Sequence, residues 1–198
     1  MSKDDYYPIK IRGNMFQYDE YSFNQEKINT DMPANLITQE GMDKLQKELD
    51  FLWRIERPEI TKKVTWAAAL GDRSENADYQ FNKQKLREID RRVRHLRKRL
   101  EVLRPVPYAP EQEGKIYFGA WVTLIDDEDK TIFFRIVGAD ELAHHKDYSS
   151  INSPIAKVCL GKEIDDEIVV KTELMQKKWY VENIFYGSPE AVADKISS

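Results

Sequence analysis

The chain has 198 residues, with 31 Lys and Arg against 35 Asp and Glu, which gives a formal net charge of −4. Hydrophobic residues make up 41% of it, enough for a core, so a wholly disordered chain is excluded. Cys159 is the one cysteine; an intrachain disulfide and a zinc site built on several thiolates are therefore both excluded. No stretch reaches the roughly 18 apolar residues of a membrane span, and no secretory signal begins the chain. We expect a cytoplasmic protein with no membrane partner.

Residues 1–33 are predicted to form an N-terminal extension. They contain aromatic side chains but no sustained helical or strand periodicity, and Pro8, Gly13 and Pro33 interrupt them. The segment is predicted to be poorly ordered, with docking on a partner as the alternative.

Residues 34–107 are predicted to form an antiparallel coiled-coil hairpin. Thr38 is a suitable N-cap for a first helix, and Pro58 should bend or split that helix. The second helix carries a seam whose apolar positions alternate by three and four residues for more than three heptads. The seam runs through Tyr79, Asn82, Leu86, Ile89, Val93, Leu96, Leu100 and Leu103. Because only a short break at Gly71 separates the helices, we expect them to fold back on each other, for which a monomer is sufficient.

Residues 108–186 are predicted to form a small, mostly antiparallel β-sheet domain, followed by a tail at 187–198. Residues 115–125 and 130–137 are rich in β-branched and aromatic side chains and predict a β-hairpin. Residues 164–171 and 179–186 are two further strand candidates. Ser153 as cap and Pro154 at the first position predict a short helix. The fold class is therefore α+β.

Two acidic residues, Asp72 and Glu75, lie at the predicted turn of the hairpin. One interpretation is structural: Asp72 caps the second helix and Glu75 completes a capping box. The other is functional, because two exposed carboxylates could ligate a hard cation such as Mg²⁺. Since Mg²⁺ prefers six oxygen ligands, two carboxylates cannot form a tight site, and a partner would have to supply the rest.

The second helix is strongly basic, with ten basic and three acidic residues between residues 83 and 104, a local charge of +7. Lys85, Arg92 and Arg99 fall at one heptad position beside the seam. They could pair with acids of the first helix, or the surplus charge could follow nucleic-acid phosphates.

The remaining residues of potential chemical interest have structural explanations. All four tryptophans, Trp53, Trp66, Trp121 and Trp179, are expected in the core. Cys159 is expected to be buried, and the pair His144 and His145 to be structural or solvated rather than metal-binding.

The stretch from about Leu36 to Tyr186 resembles the bacterial Gre transcript-cleavage factors, in particular the GreB branch of that family. The resemblance rests on long collinear motifs. They include Leu36-Ile-Thr-Gln-Glu-Gly41, Leu70-Gly-Asp-Arg-Ser-Glu-Asn-Ala-Asp-Tyr79, Phe118-Gly-Ala-Trp-Val122 and Phe134-Arg-Ile-Val-Gly138.

The resemblance implies a C-terminal domain similar to the FKBP fold and a factor that binds RNA polymerase by inserting its hairpin through the secondary channel. The family's tip acids fall on Asp72 and Glu75, and its docking loop falls on residues 151–154, with Asn152 where Asp is usual, followed by Ser153 and Pro154. Its basic patch, which would contact the nascent RNA 3′ segment, falls on Lys83, Lys85, Arg87, Arg91 and Arg92.

The residues and the resemblance together suggest a hypothesis for the mechanism. Asp72 and Glu75 would hold a second Mg²⁺ in the polymerase active centre, so that the polymerase hydrolyses the RNA and the factor is not itself an enzyme. The factor alone is expected to bind no cofactor. Two alternatives are a non-catalytic channel binder that inhibits polymerase and a coiled-coil interaction module without a polymerase partner.

Overall fold

The computed structural model describes residues 35–71, 75–171, 176–189 and 191. The predicted N-terminal extension and most of the predicted tail lie outside these residues. All described residues belong to one structural unit, residues 32–198. The predicted fold class is confirmed: a helical hairpin precedes a mostly antiparallel sheet.

The first arm of the hairpin is a helix interrupted just before Pro58. Helix α1 spans Gln39–Phe51, a π-helical turn spans Leu52–Glu56, and helix α2 spans Arg57–Ala69. Thr38 caps α1, as predicted, because its hydroxyl accepts a hydrogen bond from the Gly41 N–H at 3.0 Å. Pro58 was expected to bend or split this helix, because it has no N–H to donate and its ring crowds the preceding turn. The wider π turn before Pro58 accommodates the ring at this point.

The second arm is the helix α3, Ala77–Val102, which packs against α1 and α2 along the predicted seam. Ile89 and Val93 meet Ile60 of α2 in one apolar cluster, and Leu96 meets Leu45 of α1 in another nearer the base. The heptad pattern therefore predicted which face of α3 is buried.

Among the described residues, seven strands and one short α-helix complete the fold, together with 3₁₀ turns at Pro110–Gln112 and Ala139–His144. The strands and the helix are β1 (Leu36–Thr38), β2 (Arg104–Val106), β3 (Trp121–Ile125), β4 (Thr131–Val137), β5 (Tyr148–Ser150), α4 (Pro154–Cys159), β6 (Glu167–Lys171) and β7 (Gln176–Phe185). The strand order of the large sheet is β5-β4-β3-β7-β6, and every pairing except β4 with β5 is antiparallel.

Two of the predicted strands are shorter than expected. Residues 115–120 precede β3 instead of extending it, since Gly119 turns the chain at a φ of 88°. Likewise β6 begins at Glu167, because Asp165 adopts a left-handed φ of 69° that breaks an extended chain.

The base of the hairpin is closed by elements that the sequence did not predict. Strands β1 and β2 pair in parallel, with Leu36 opposite Arg104 and Thr38 opposite Val106. This pairing joins the start of α1 to the end of α3.

Polar contacts join the hairpin base to the turn that follows β4. Glu141 is 1% exposed, and its carboxylate accepts hydrogen bonds from the Thr38 N–H, the Thr38 hydroxyl and the Gly138 N–H. Arg99 of α3 makes a two-pronged ion pair with Asp140, which raises the pKa of Arg99. The hairpin is thus held to the sheet by buried polar bonds as well as by apolar packing.

The tryptophan predictions are half right. Trp121 and Trp179 are buried, at 1% and 6% exposed. Trp53 and Trp66 are not core residues, at 39% and 63% exposed, because both lie off the seam. Trp53 instead stacks with two guanidinium groups, Arg97 at 4.4 Å and Arg57 at 5.1 Å from its ring centroid.

Cys159 is fully buried, as predicted, and burial raises its pKa to about 12. Because the thiolate is the reactive form, we expect a thiol reagent at pH 8 to leave the native protein unlabelled over an hour. Unfolding in guanidinium should expose one thiol per chain, which absorbance of the released chromophore measures. Rapid labelling of the native protein would contradict the burial.

Candidate functional site: the hairpin tip and its flanks

At the tip of the hairpin, the side chain of Asn76 forms hydrogen bonds to both arms. Its side-chain oxygen caps α3 by accepting a hydrogen bond from the Tyr79 N–H, and its side-chain amide donates to the Ala67 carbonyl of α2, each at 3.0 Å. One residue therefore holds together the facing ends of two helices. Gly71, with a φ of 123°, starts the connecting turn in a conformation that suits glycine.

Glu75 lies in this turn, immediately before the cap. It is exposed and forms no hydrogen bond or ion pair with any described residue. The capping-box interpretation is wrong, because Asn76, not Asp72, is the N-cap and Glu75 precedes the helix. Asp72 lies in the segment 72–74, outside the described residues. The carboxylate of Glu75 is therefore available to an external ligand.

The basic residues beside the seam are engaged in ion pairs. Lys85 pairs with Glu56 at 2.8 Å, and Arg92 makes two hydrogen bonds to Glu48 at 2.6 and 2.8 Å. The hydrogen bond from Arg92 holds the pKa of Glu48 below its usual range, against the opposing effect of burial. When the pH falls below this lowered pKa, Glu48 becomes protonated and its ion pair with Arg92 is lost. Lys85 and Arg92 thus follow the structural interpretation, since both pair with acids of the first arm. Arg99 is also paired, but with Asp140 beyond β4 and not with the first arm.

A second basic stripe is open; the resemblance had named three of its members, Lys83, Arg87 and Arg91, whereas Arg94 and Lys98 were not predicted. Its members share one side of α3 at spacings of three and four residues, and none forms an ion pair with a described residue. This open basic stripe consists of Lys83, Arg87, Arg91, Arg94 and Lys98. The same spacing rule that identified the apolar seam could have found it.

The predicted docking loop lies at the start of α4. Ser153 caps α4 by accepting from the Ala156 N–H at 3.2 Å, and Pro154 occupies its first turn, both as predicted. Asn152 and Pro154 are exposed beside buried Ile151. The loop is therefore a fixed surface feature, with Ser153 tied to Ser149 by a 2.9 Å hydroxyl contact.

The described residues give no support to a metal site or to a membrane-spanning helix. In the part of the chain that the structure describes, no cluster of three or more His, Cys, Asp or Glu residues could hold a metal. His145 lies edge-on to Trp121, with ring centroids 5.7 Å apart. Among the described helices, none is long and apolar enough to cross a membrane.

Two family models match the halves of the chain. "Transcription elongation factor, N-terminal" matches residues 35–104, which contain the hairpin, and "Transcription elongation factor, GreA/GreB, C-term" matches residues 111–186, which contain the sheet. The chain belongs to the GreA/GreB family of transcription elongation factors. Both matched ranges exclude residues 1–34.

Curated relatives agree with this family. The transcription elongation factor GreB of Pseudomonas putida is 62% identical over 156 residues, which are 79% of this chain and 96% of that protein. The GreB proteins of Vibrio vulnificus CMCP6 and Haemophilus influenzae are 52% and 54% identical, over 80% and 77% of this chain and 100% and 97% of their own lengths. Among solved structures, the transcription factor Gfh1 aligns at 21% identity and a TM-score of 0.36, over 78% of this chain and 99% of that chain.

Proposed function

We propose that this protein is an elongation factor that rescues backtracked or arrested RNA polymerase by stimulating the polymerase's own cleavage of the nascent RNA. The observation that carries the proposal is the family match across both halves of the chain. The protein acts as a monomer whose hairpin enters the secondary channel. The sheet domain docks outside through Asn152, Ser153 and Pro154.

The proposed chemistry at the tip belongs to Asp72 and Glu75. Support comes from Glu75, whose carboxylate is exposed and unengaged among the described residues. A hard cation accepts such oxygen ligands, so these residues would complete a Mg²⁺ site together with carboxylates of the polymerase. Bound there, the ion supplies charge stabilisation and an activated water for phosphodiester hydrolysis.

The decisive experiment is RNA cleavage by purified, backtracked polymerase with and without this protein. We expect shortened RNA 3′ ends only when both are present, and no cleavage by the factor alone. Polymerase binding without cleavage would favour an inhibitory channel binder instead. Absence of polymerase binding would favour a plain interaction module.

The RNA 3′ segment would follow the basic side of α3 through phosphate contacts, without base recognition. The five predicted contacts are Lys83, Lys85, Arg87, Arg91 and Arg92. Since Lys85 and Arg92 are paired with acids, the open members Lys83, Arg87 and Arg91 have more positive charge available to the phosphates. Such contacts imply that RNA binding weakens as salt concentration rises.

Replacing Lys83, Arg87 and Arg91 together with alanine should reduce crosslinking of the factor to the RNA 3′ end by about tenfold at physiological salt, because three phosphate contacts are lost. The matched control replaces Lys85 and Arg92, which are similarly placed but paired, and should reduce crosslinking less. Equal losses in the two variants would mean that the ion pairs open when RNA binds.

A further inference from the structure

The two flanks of α3 beside its apolar seam differ in how their charges are partnered. Every cation of the first flank forms an ion pair with an acid. This paired flank consists of Lys85, Arg92 and Arg99. The second, open flank consists of Lys83, Asp90 and Arg97. Among the described residues, only Asp90 of the open flank has an ionic partner, Arg57 at 2.8 Å. Because flanking positions of a coiled-coil seam commonly form salt bridges between the helices, the two unneutralised cations favour an anionic partner from outside the hairpin.

Each unneutralised cation of the open flank lies over an aromatic ring. The Lys83 ammonium is 5.1 Å from the ring centroid of Tyr79, and the Arg97 guanidinium is 4.4 Å from that of Trp53 in the first arm. A ring attracts a cation through its quadrupole and leaves the net charge intact, whereas a carboxylate would neutralise it. The two rings therefore position these cations and keep their charge available.

Arg97 and Trp53 form a composite site to which both arms contribute. Arg97 is exposed and forms no hydrogen bond or ion pair with a described residue, so its N–H donors are available to a ligand. Trp53 is 39% exposed and lies 5.1 Å from Arg57 as well. Arg94 and Lys98 of the open basic stripe lie three residues before and one residue after Arg97, and both are exposed.

The cations on this side form a row that suits a chain of phosphates. With Arg97, the open basic stripe extends about 22 Å from Lys83 to Lys98, which is far longer than a single phosphate or carboxylate. Glu101, the acid that follows Arg97 by four residues, forms no ion pair with a described residue. Proteins that bind single-stranded nucleic acid combine such a basic row with aromatic rings.

We propose that Arg97, held over Trp53, forms a distal subsite for the RNA 3′ segment, so that both arms of the hairpin bind the RNA. This inference rests on the proposed function and adds to it a positioning residue on the first arm, Trp53. The Arg97 guanidinium binds a phosphate of the strand. The ring holds the guanidinium at the surface beside the open basic stripe, so that less side-chain freedom is lost when the RNA binds.

The distal subsite lies far from the tip acids. Arg97 follows the α3 cap Asn76 by 21 residues, which is about 31 Å along the helix. At the roughly 3.4 Å per nucleotide of a stacked strand, this length corresponds to about nine nucleotides, and to fewer in an extended strand. RNA extruded by two nucleotides therefore cannot reach the subsite, whereas RNA extruded by ten can.

The test uses full-length protein and purified polymerase that is backtracked by either two or ten nucleotides. It measures the concentration of factor that gives half of the maximal cleavage rate. On the ten-nucleotide complexes, we expect Arg97→Gln and Trp53→Leu to raise this concentration about threefold, because one phosphate contact is lost or weakened. On the two-nucleotide complexes both variants should match the wild type. Trp53→Phe keeps a ring and should retain most of the wild-type behaviour.

Salt dependence separates the binding residue from the positioning residue. On the ten-nucleotide complexes, Arg97→Gln should reduce the slope of the logarithm of that concentration against the logarithm of salt by about 0.7, the value for one contact to a single strand. Trp53→Leu keeps the Arg97 charge, so its slope should stay closer to that of the wild type although more factor is needed.

Lys63→Gln is the matched control. Lys63 is exposed and has no ion pair with a described residue. It lies one heptad after Glu56, the partner of Lys85, and therefore beside the paired flank. The control removes the same charge from the other side of the hairpin and should match the wild type on both complexes. A loss equal to that of Arg97→Gln would overturn the inference and assign the effect to overall charge.

Other outcomes also overturn the inference, and they leave the proposed function intact if the wild type stimulates cleavage. One is wild-type behaviour of Arg97→Gln and Trp53→Leu on the ten-nucleotide complexes. Equal losses on both complexes would assign the two residues to the stability of the hairpin. Weaker binding to polymerase without extruded RNA would assign them to an acidic surface of the polymerase. A wild type that stimulates cleavage of neither complex would overturn the proposed function and the inference together.

Discussion

Replacing either Asp72 or Glu75 with alanine is expected to reduce stimulated RNA cleavage about a hundredfold or more while polymerase affinity stays within about twofold of the wild type. The physical reason is that a carboxylate ligand to a catalytic cation acts only on the charged reacting groups, so its loss appears in the rate and not in docking. Cleavage on backtracked complexes gives the rate, and competition for polymerase gives the affinity.

The structure supplies the controls for this prediction. Glu75 lies outside α3 and has no bonded partner among the described residues, so its removal should not change the melting temperature. Glu88→Ala removes an exposed carboxylate from the same hairpin, away from the tip, and should cleave normally. Normal cleavage by both tip variants would show that the acids are not the functional groups.

Removal of the buried carboxylate of Glu141 should lower the free energy of unfolding by about 3 kcal/mol, as measured by urea denaturation. Glu141→Ala leaves the N–H groups of Thr38 and Gly138 and the Thr38 hydroxyl without their acceptor. Buried donors without partners cost about 1–3 kcal/mol each when water cannot replace the acceptor.

Two further variants make the explanation specific. Gly41→Ala should also destabilise, because a Cβ there would lie 2.3 Å from the Glu141 Oε1 atom and displace the carboxylate. Leu142→Ala changes the neighbouring, 41% exposed residue and should cost under about 0.5 kcal/mol. A Glu141→Ala variant as stable as Leu142→Ala would show that solvent replaces the lost bonds.

The sequence predicted the parts of this protein that depend on local periodicity. The heptad seam of α3 identified the buried face, with Ile89, Val93 and Leu96 at 5%, 3% and 1% exposed. Thr38 and Ser153 were recognised as caps because a hydroxyl before an apolar-periodic run satisfies free backbone N–H groups. At the tip, the same rule chose Asp72, although Asn76 could also accept from the backbone. Asn76 also has a side-chain amide, which a carboxylate lacks, and this amide donates to the Ala67 carbonyl.

The sequence could not assign partners to charges. Lys85 and Lys83 lie two residues apart in one basic run, yet Lys85 pairs with Glu56 while Lys83 forms no ion pair with a described residue. This difference in pairing depends on how the two arms of the hairpin are aligned, because Glu56 and Lys85 lie on different arms, far apart in the sequence. For the same reason, Trp66 could not be distinguished from a core residue by composition.

By itself, the sequence determined the fold class, the hairpin, the buried face of α3 and the family, because these follow from periodicities and motifs contained within continuous segments. Only the tertiary structure decided which cations are open, that Glu75 precedes the α3 cap, and that Glu141 holds the hairpin base to the sheet. Those properties are set by contacts between segments distant in the chain; Thr38 and Glu141, for example, are 103 residues apart. The physical reason is that an ion pair or a buried hydrogen bond requires a partner within about 3 Å, and the tertiary fold alone supplies one.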